Sequence, residues 1–232
     1  MRGAKFDSRH EGEIGVLSWV VAAVVIIGGF LVSPGRSLAD TPPAITSGAT
    51  ATATVGSMFS FTVRTSGTPL PSIKERGRLP KDLTLTDNHD GTASLSGTPG
   101  STTGGAYPRL SEGVHGIVIA AAFGTGATKQ VVTQAFTLIV DQAPTITSRG
   151  TKKARVGVSF RFTVKTRGFP TATVSESGAL PPGVGFTNNG NGTAALVGMP
   201  GNGSAGTYPI MINASNGVGS PASQSFTLVV RS

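Results

Sequence analysis

The chain has 232 residues, a formal net charge of +8, 33 glycines, 15 prolines and no cysteine. The lack of cysteine excludes disulfides, thiolate nucleophiles and thiolate metal sites, and a sequence this rich in glycine, proline, threonine and valine predicts short strands joined by many turns. H-E-x-x-H, G-x-S-x-G and phosphate-loop patterns are absent, so the sequence predicts no enzyme.

Residues 1–39 read as a targeting or anchoring segment. The uncharged run from Ile14 to Val32 is 19 residues long, enough to cross a hydrocarbon core as a helix. Pro34-Gly35 breaks it, and Ser37-Leu38-Ala39 before Asp40 has the small-x-small pattern of a cleavage site. A cleaved signal peptide and a signal anchor retained through residues 14–32 both fit. Either one predicts a secreted or cell-surface protein, membrane-anchored if the segment is kept. Residues 40–232 keep 15 basic and 8 acidic side chains, a balance that favours anionic partners.

After a lead-in over 40–43, the first of two repeats spans 44–141. Alternation in Met58–Val63 turns Phe59, Phe61 and Val63 to one face. Ser72–Arg78 is charged enough to be an edge strand and loop. Asp90-Gly91 predicts a type I′ hairpin with positive φ at both residues, and Gly97-Thr98-Pro99-Gly100 ends the strand that follows. Gly105-Ala106-Tyr107 has the spacing of a tyrosine corner, in which the phenol bonds backbone upstream. Relative to the second repeat, the first then carries 11 extra residues. About eight fall in Arg109–Gly116, a candidate recognition loop with Arg109, Glu112 and His115, and about three in Lys129–Thr133. Phe136, Leu138 and Val140 close the repeat as one inward row. Asp141-Gln142-Ala143-Pro144 reads as a short linker that restricts the two sandwiches.

The second repeat, 142–232, restates the first 101 residues later. Asn191-Gly192 replaces Asp90-Gly91, Tyr208 replaces Tyr107, and Phe226, Leu228 and Val230 replace the closing row. Gly91 and Gly192 are the turn glycines, and Tyr107 and Tyr208 the structural tyrosines. The individual feature of this repeat is its cations. Arg161, Lys165 and Arg167 alternate with Phe160, Phe162 and Val164, and Arg149, Lys152, Lys153 and Arg155 lie just upstream. Together they form a candidate surface for an anionic envelope or matrix polymer. From Arg161 to Arg167 no aromatic residue shares the face of the cations, which argues against specific nucleic-acid binding.

The residues P-x-I-T-S at Pro43–Ser47 and Pro144–Ser148, V-G-x-x-F-x-F-T-V at Val55–Val63 and Val156–Val164, and the closing F-T-L-x-V resemble the bacterial putative-Ig family, which is similar to cadherin-like domains of dystroglycan type. The resemblance implies seven-stranded Ig-like sandwiches used for spacing or adhesion, and no catalysis. With the repeat and the apolar run 14–32, the expected chain is all-β, two tandem Ig-like sandwiches behind an N-terminal hydrophobic helix, and its charge makes a cell-envelope polymer or surface protein the expected partner. Cadherin-like relatives often bind calcium. Asp87, Asp90 and Asp141 are weak candidates for that, because calcium needs six to eight oxygens and the second repeat has Asn188 and Asn191 at the hairpin positions. No other cofactor is expected.

Overall fold

The computed structural model describes residues 42–100 and 112–232, and no α-helix occurs among them. The expected N-terminal segment 1–39 with its span 14–32, Tyr107 and Arg109 lie outside the described residues. The strands are β1 (Ala44–Ile45), β2 (Thr50–Thr54), β3 (Phe59–Ser66), β4 (Ser72–Arg76), β5 (Leu83–Asp87), β6 (Thr92–Gly97), β7 (Gly113–Phe123) and β8 (Gln130–Ile146). They continue as β9 (Thr151–Arg155), β10 (Phe160–Phe169), β11 (Thr173–Gly178), β12 (Val184–Asn188), β13 (Thr193–Gly198), β14 (Gly206–Ser215) and β15 (Ala222–Arg231).

Alternation of apolar and polar residues builds two cores. Around the first, the sheet ordered β1-β3-β6-β5 packs on β4, β7 and β8, with β2 added parallel to β8. Val63, Leu95, Ile119, Phe136 and Leu138 fill the space between. Around the second, β12, β13, β10 and the end of β8 pack on the sheet ordered β11-β14-β15-β9, enclosing Val164, Leu196, Ile212, Phe226 and Leu228. Each such side chain contributes about 1.5–3 kcal/mol relative to exposure. The ring pair Phe61 and Phe136, with centroids 5.0 Å apart, recurs as Phe162 and Phe226 at 4.9 Å.

Asp141–Pro144 is not a loop between these cores. It lies inside β8, whose 17 residues pair with β7 through Val140 and then with β10 from Gln142 to Ile146. The closing strand of one core thus becomes the opening strand of the next, because the backbone groups freed on leaving β7 find partners at once on β10. Gly168 makes the approach feasible. Its φ is +132°, and a Cβ there would stand 3.0 Å from Pro144 Cα and 3.1 Å from the carbonyl oxygens of Gln142 and Ala143. Asn216 clamps the same place, donating through Nδ2 to the carbonyl oxygens of Gln142 and Pro170, each at 2.8 Å.

The hairpin turns also depart from expectation. Positive φ falls at His89 and Gly91 in one copy and at Gly190 and Gly192 in the other, not at Asp90 or Asn191. The loops are longer than a two-residue type I′ turn because side chains bond the backbone within them. Asp87 and Asn188 accept from the N–H of His89 and Gly190, and Asp90 and Asn191 accept from the N–H of Thr92 and Thr193.

Part of the first-repeat insertion is strand. Gly113–Gly116 pairs with Thr137–Val140, so His115 sits in β7 opposite Leu138 and not on a recognition loop. Gln130 and Val131, within the second insertion, pair with Phe123 and Ala122 and lengthen the β7–β8 hairpin. The inserted residues extend the ladder because doing so satisfies more backbone than a longer loop would.

Candidate binding surfaces

The cations of the second repeat divide between two sheets. On β10, Arg161, Lys165 and Arg167 are exposed, opposite the face of Phe160, Phe162 and Val164 that packs on the core. Beside them lie Val197, Thr193 and Thr145 on the neighbouring strands. Lys153 and Arg155 are exposed on β9, which pairs with β15 in the other sheet, while Lys152 is half-buried on the side of buried Ala154. Arg149 is exposed just before β9. The seven residues therefore do not form one surface. The parallel ladder also places Arg231 directly beside Arg155. Nothing in local sequence could have announced that neighbour, since 76 residues separate the two.

Asp87 and Asp90 are occupied by their own turn. Asp87 Oδ2 accepts from Ile73 N–H at 3.0 Å and Oδ1 from His89 N–H at 3.0 Å, with the His89 imidazole 3.6 Å away. Burial pushes the Asp87 carboxyl up, but the donations from Ile73 and His89 together hold it below the usual carboxylate range. Asp90 accepts from the Thr92 hydroxyl at 2.6 Å and the Thr92 N–H at 2.9 Å, and both bonds lower its carboxyl. Asp141 sits in β8 opposite Thr54. Among the described residues no three His, Asp or Glu side chains come together as a metal site.

Tyr208 closes its turn by donating from its hydroxyl to the Ser204 carbonyl oxygen at 3.0 Å. It faces Leu228 across the ladder just as His115 faces Leu138, so His115 holds the register position that motif spacing gave to Tyr107. Glu112 directly precedes β7. A pair of glutamines escaped sequence reading: Gln134 donates to the Ser47 carbonyl oxygen at 3.0 Å and Gln224 to that of Ser148 at 2.9 Å. Their signal was present, since glutamine stands two residues before phenylalanine in both closing strands.

Two sheets packed around each core define a β-sandwich of immunoglobulin type. Residues 143–231 match the model of the family described as Putative Ig domain. No curated protein matches the sequence. Among solved structures, a tandem pair of titin Ig domains aligns with TM-score 0.50 and 16% identity over 83% of this chain and 97% of that one. A second titin fragment aligns with TM-score 0.56 and 13% identity over 82% and 99%. At such identities the likeness establishes the fold alone.

Proposed function

We propose that the chain is a non-enzymatic, exported or surface-held module of two tandem Ig-like sandwiches, 44–141 and 142–232, that spaces and presents a binding surface. The observation that carries this reading is the continuous strand β8, pinned at the junction by Asn216. A shared strand removes the free φ/ψ positions through which linked modules ordinarily swing. The alignment with a tandem titin pair supports the count of two. The uncharged run 14–32 would hold the module at a membrane if it is retained. The native chain has no cysteine, so spin labels on Ser60→Cys and Thr187→Cys report one distance cleanly. A single narrow distance distribution is the expected result. A broad one would show a hinge and overturn the spacer reading.

A second reading is favoured by charge. Residues 142–232 carry eight basic side chains and a single acid, Glu176, which suits contact with phosphate- or carboxylate-rich envelope or matrix polymer. Co-sedimentation with cell envelopes at low and high salt tests it. Salt-sensitive binding is expected to be lost in the variant Arg161→Glu, Lys165→Glu, Arg167→Glu, and unchanged binding by that variant would sink this reading.

A further inference from the structure

We propose that the outer face of β4, β7 and β8 is a docking surface for an extended, acidic peptide segment of a partner protein, one that also carries apolar side chains. This surface belongs to the first core and is separate from the cationic rows of the second. It stands whether or not the junction is stiff.

The face is assembled in rows across three strands. Ser72, Ala122 and Val131 form one row, Lys74, Ala120 and Thr133 the next, and Arg76, Val118 and Ala135 the third. All point away from the core, since the alternate residues Ile73, Ile119, Ala121 and Phe136 are buried within it. The result is a groove of about 410 Å³ whose floor includes Ala120, Ala122 and Val131 and whose rim carries three cations, Lys74, Arg76 and Lys129, against one acid, Glu75. Val131 is 47% exposed, and Val114 farther along β7 is 63% exposed.

The corresponding rows on the second core are Ser175, Asn213 and Ser223, then Ser177, Met211 and Ser225. There, Ser223 donates to Asn213 Oδ1 at 2.7 Å, and the face is largely hydroxyl and amide. The same backbone therefore tolerates a polar covering, and nothing in the fold demands alanine and valine on the outside of the first core. Apolar side chains gathered in a groove on a solvent face, where the sister core is polar, suit a surface that another molecule covers.

Charge and geometry choose the occupant. The rim cations and the net charge of +8 oppose a second copy of this chain and favour an acidic partner. Lys74 and Arg76 leave one face of a strand two residues apart, about 6.6 Å, which is the repeat of carboxylates at alternate positions of an extended peptide. The small floor residues leave room for apolar side chains between those carboxylates. Addition of a strand at the β4 edge is opposed, because the Ile73 N–H there is already taken by Asp87. The peptide lies on the face.

The test uses the full chain in detergent micelles and a fluorescent peptide of alternating glutamate and valine, read by anisotropy. Lys74→Glu with Arg76→Glu is expected to weaken binding about tenfold or more. Arg161→Glu with Lys165→Glu should change it less than about twofold, and an all-glutamate peptide should bind about tenfold more weakly for want of apolar contact. Equal binding of the two peptides, or loss confined to the β10 variant, would reduce the effect to general charge attraction and overturn the proposal. So would tighter binding of an acidic oligosaccharide than of the peptide. Dimers in sedimentation that dissolve in Val131→Asp would assign the face to a second copy and overturn it equally.

Discussion

Around the first core, residues 42–141 carry seven basic and six acidic side chains, whereas residues 142–232 carry eight and one. Beneath that difference the bonding repeats pair for pair. Thr65 Oγ1 donates to the Gly91 carbonyl oxygen and Thr166 Oγ1 to that of Gly192, both at 2.7 Å. Gly56 N–H reaches the Pro99 carbonyl oxygen and Gly157 N–H that of Pro200, both at 2.9 Å. Backbone groups and core volumes must be satisfied in each sandwich or it does not fold. Outward side chains are free of that demand, so the two copies share an interior and differ outside: an apolar, cation-rimmed groove on one, two cationic sheet faces on the other. The lesson for function is that the differences between copies carry the information about partners.

The sharpest way to break the comparison is to open one core at a time. Phe136→Ala and Phe226→Ala should each cost about 3–5 kcal/mol, and hydrogen exchange should show protection lost around the mutated core only. Loss across both would mean that β8 makes them one cooperative unit. A smaller effect is expected at the junction, where Gly168 on β10 lies against Gln142, Ala143 and Pro144 of the shared strand β8. Gly168→Ala should cost about 1–3 kcal/mol, as a side chain forced into positive φ against backbone. It should also raise exchange from Gln142 to Ile146; an unchanged urea midpoint would show that the backbone gives way there. The smallest effect separates the hairpins by pH. The folded Asp87 carboxyl lies below its unfolded value, so its contribution is complete above the ordinary carboxylate pKa of about 3.9 and is lost as pH falls through the folded value. Asn188, its counterpart, does not titrate. Thermal melts at pH 6 and pH 3 should therefore show the first core weakening in acid relative to the second, and Asp87→Asn should flatten that loss. Equal acid sensitivity in the variant would place the effect elsewhere.

Much of this was legible in the sequence because it depends on short-range periodicity. Phe59, Phe61 and Val63, or Phe226, Leu228 and Val230, announce their inward face through alternation alone, and the 101-residue repeat announces a second core with the same turns. The edge position of β4 follows from its charge, and the tyrosine corner of Tyr208 from its glycine spacing. What the sequence could not settle is who stands beside whom. Asp141–Pro144 reads as a linker, since proline and the end of an apolar run mark a strand's end locally, yet β10 supplies partners that carry the strand onward. His115 reads as loop because the ladder with Leu138 is a long-range pairing. The cations of β9 and β10 look continuous along the chain but belong to opposite sheets, and Arg231 joins Arg155 only through a parallel pairing across 76 residues. Periodicity fixes which way a side chain points, because the strand sets that by itself; tertiary pairing alone decides its neighbours, because register is chosen by the partner strand.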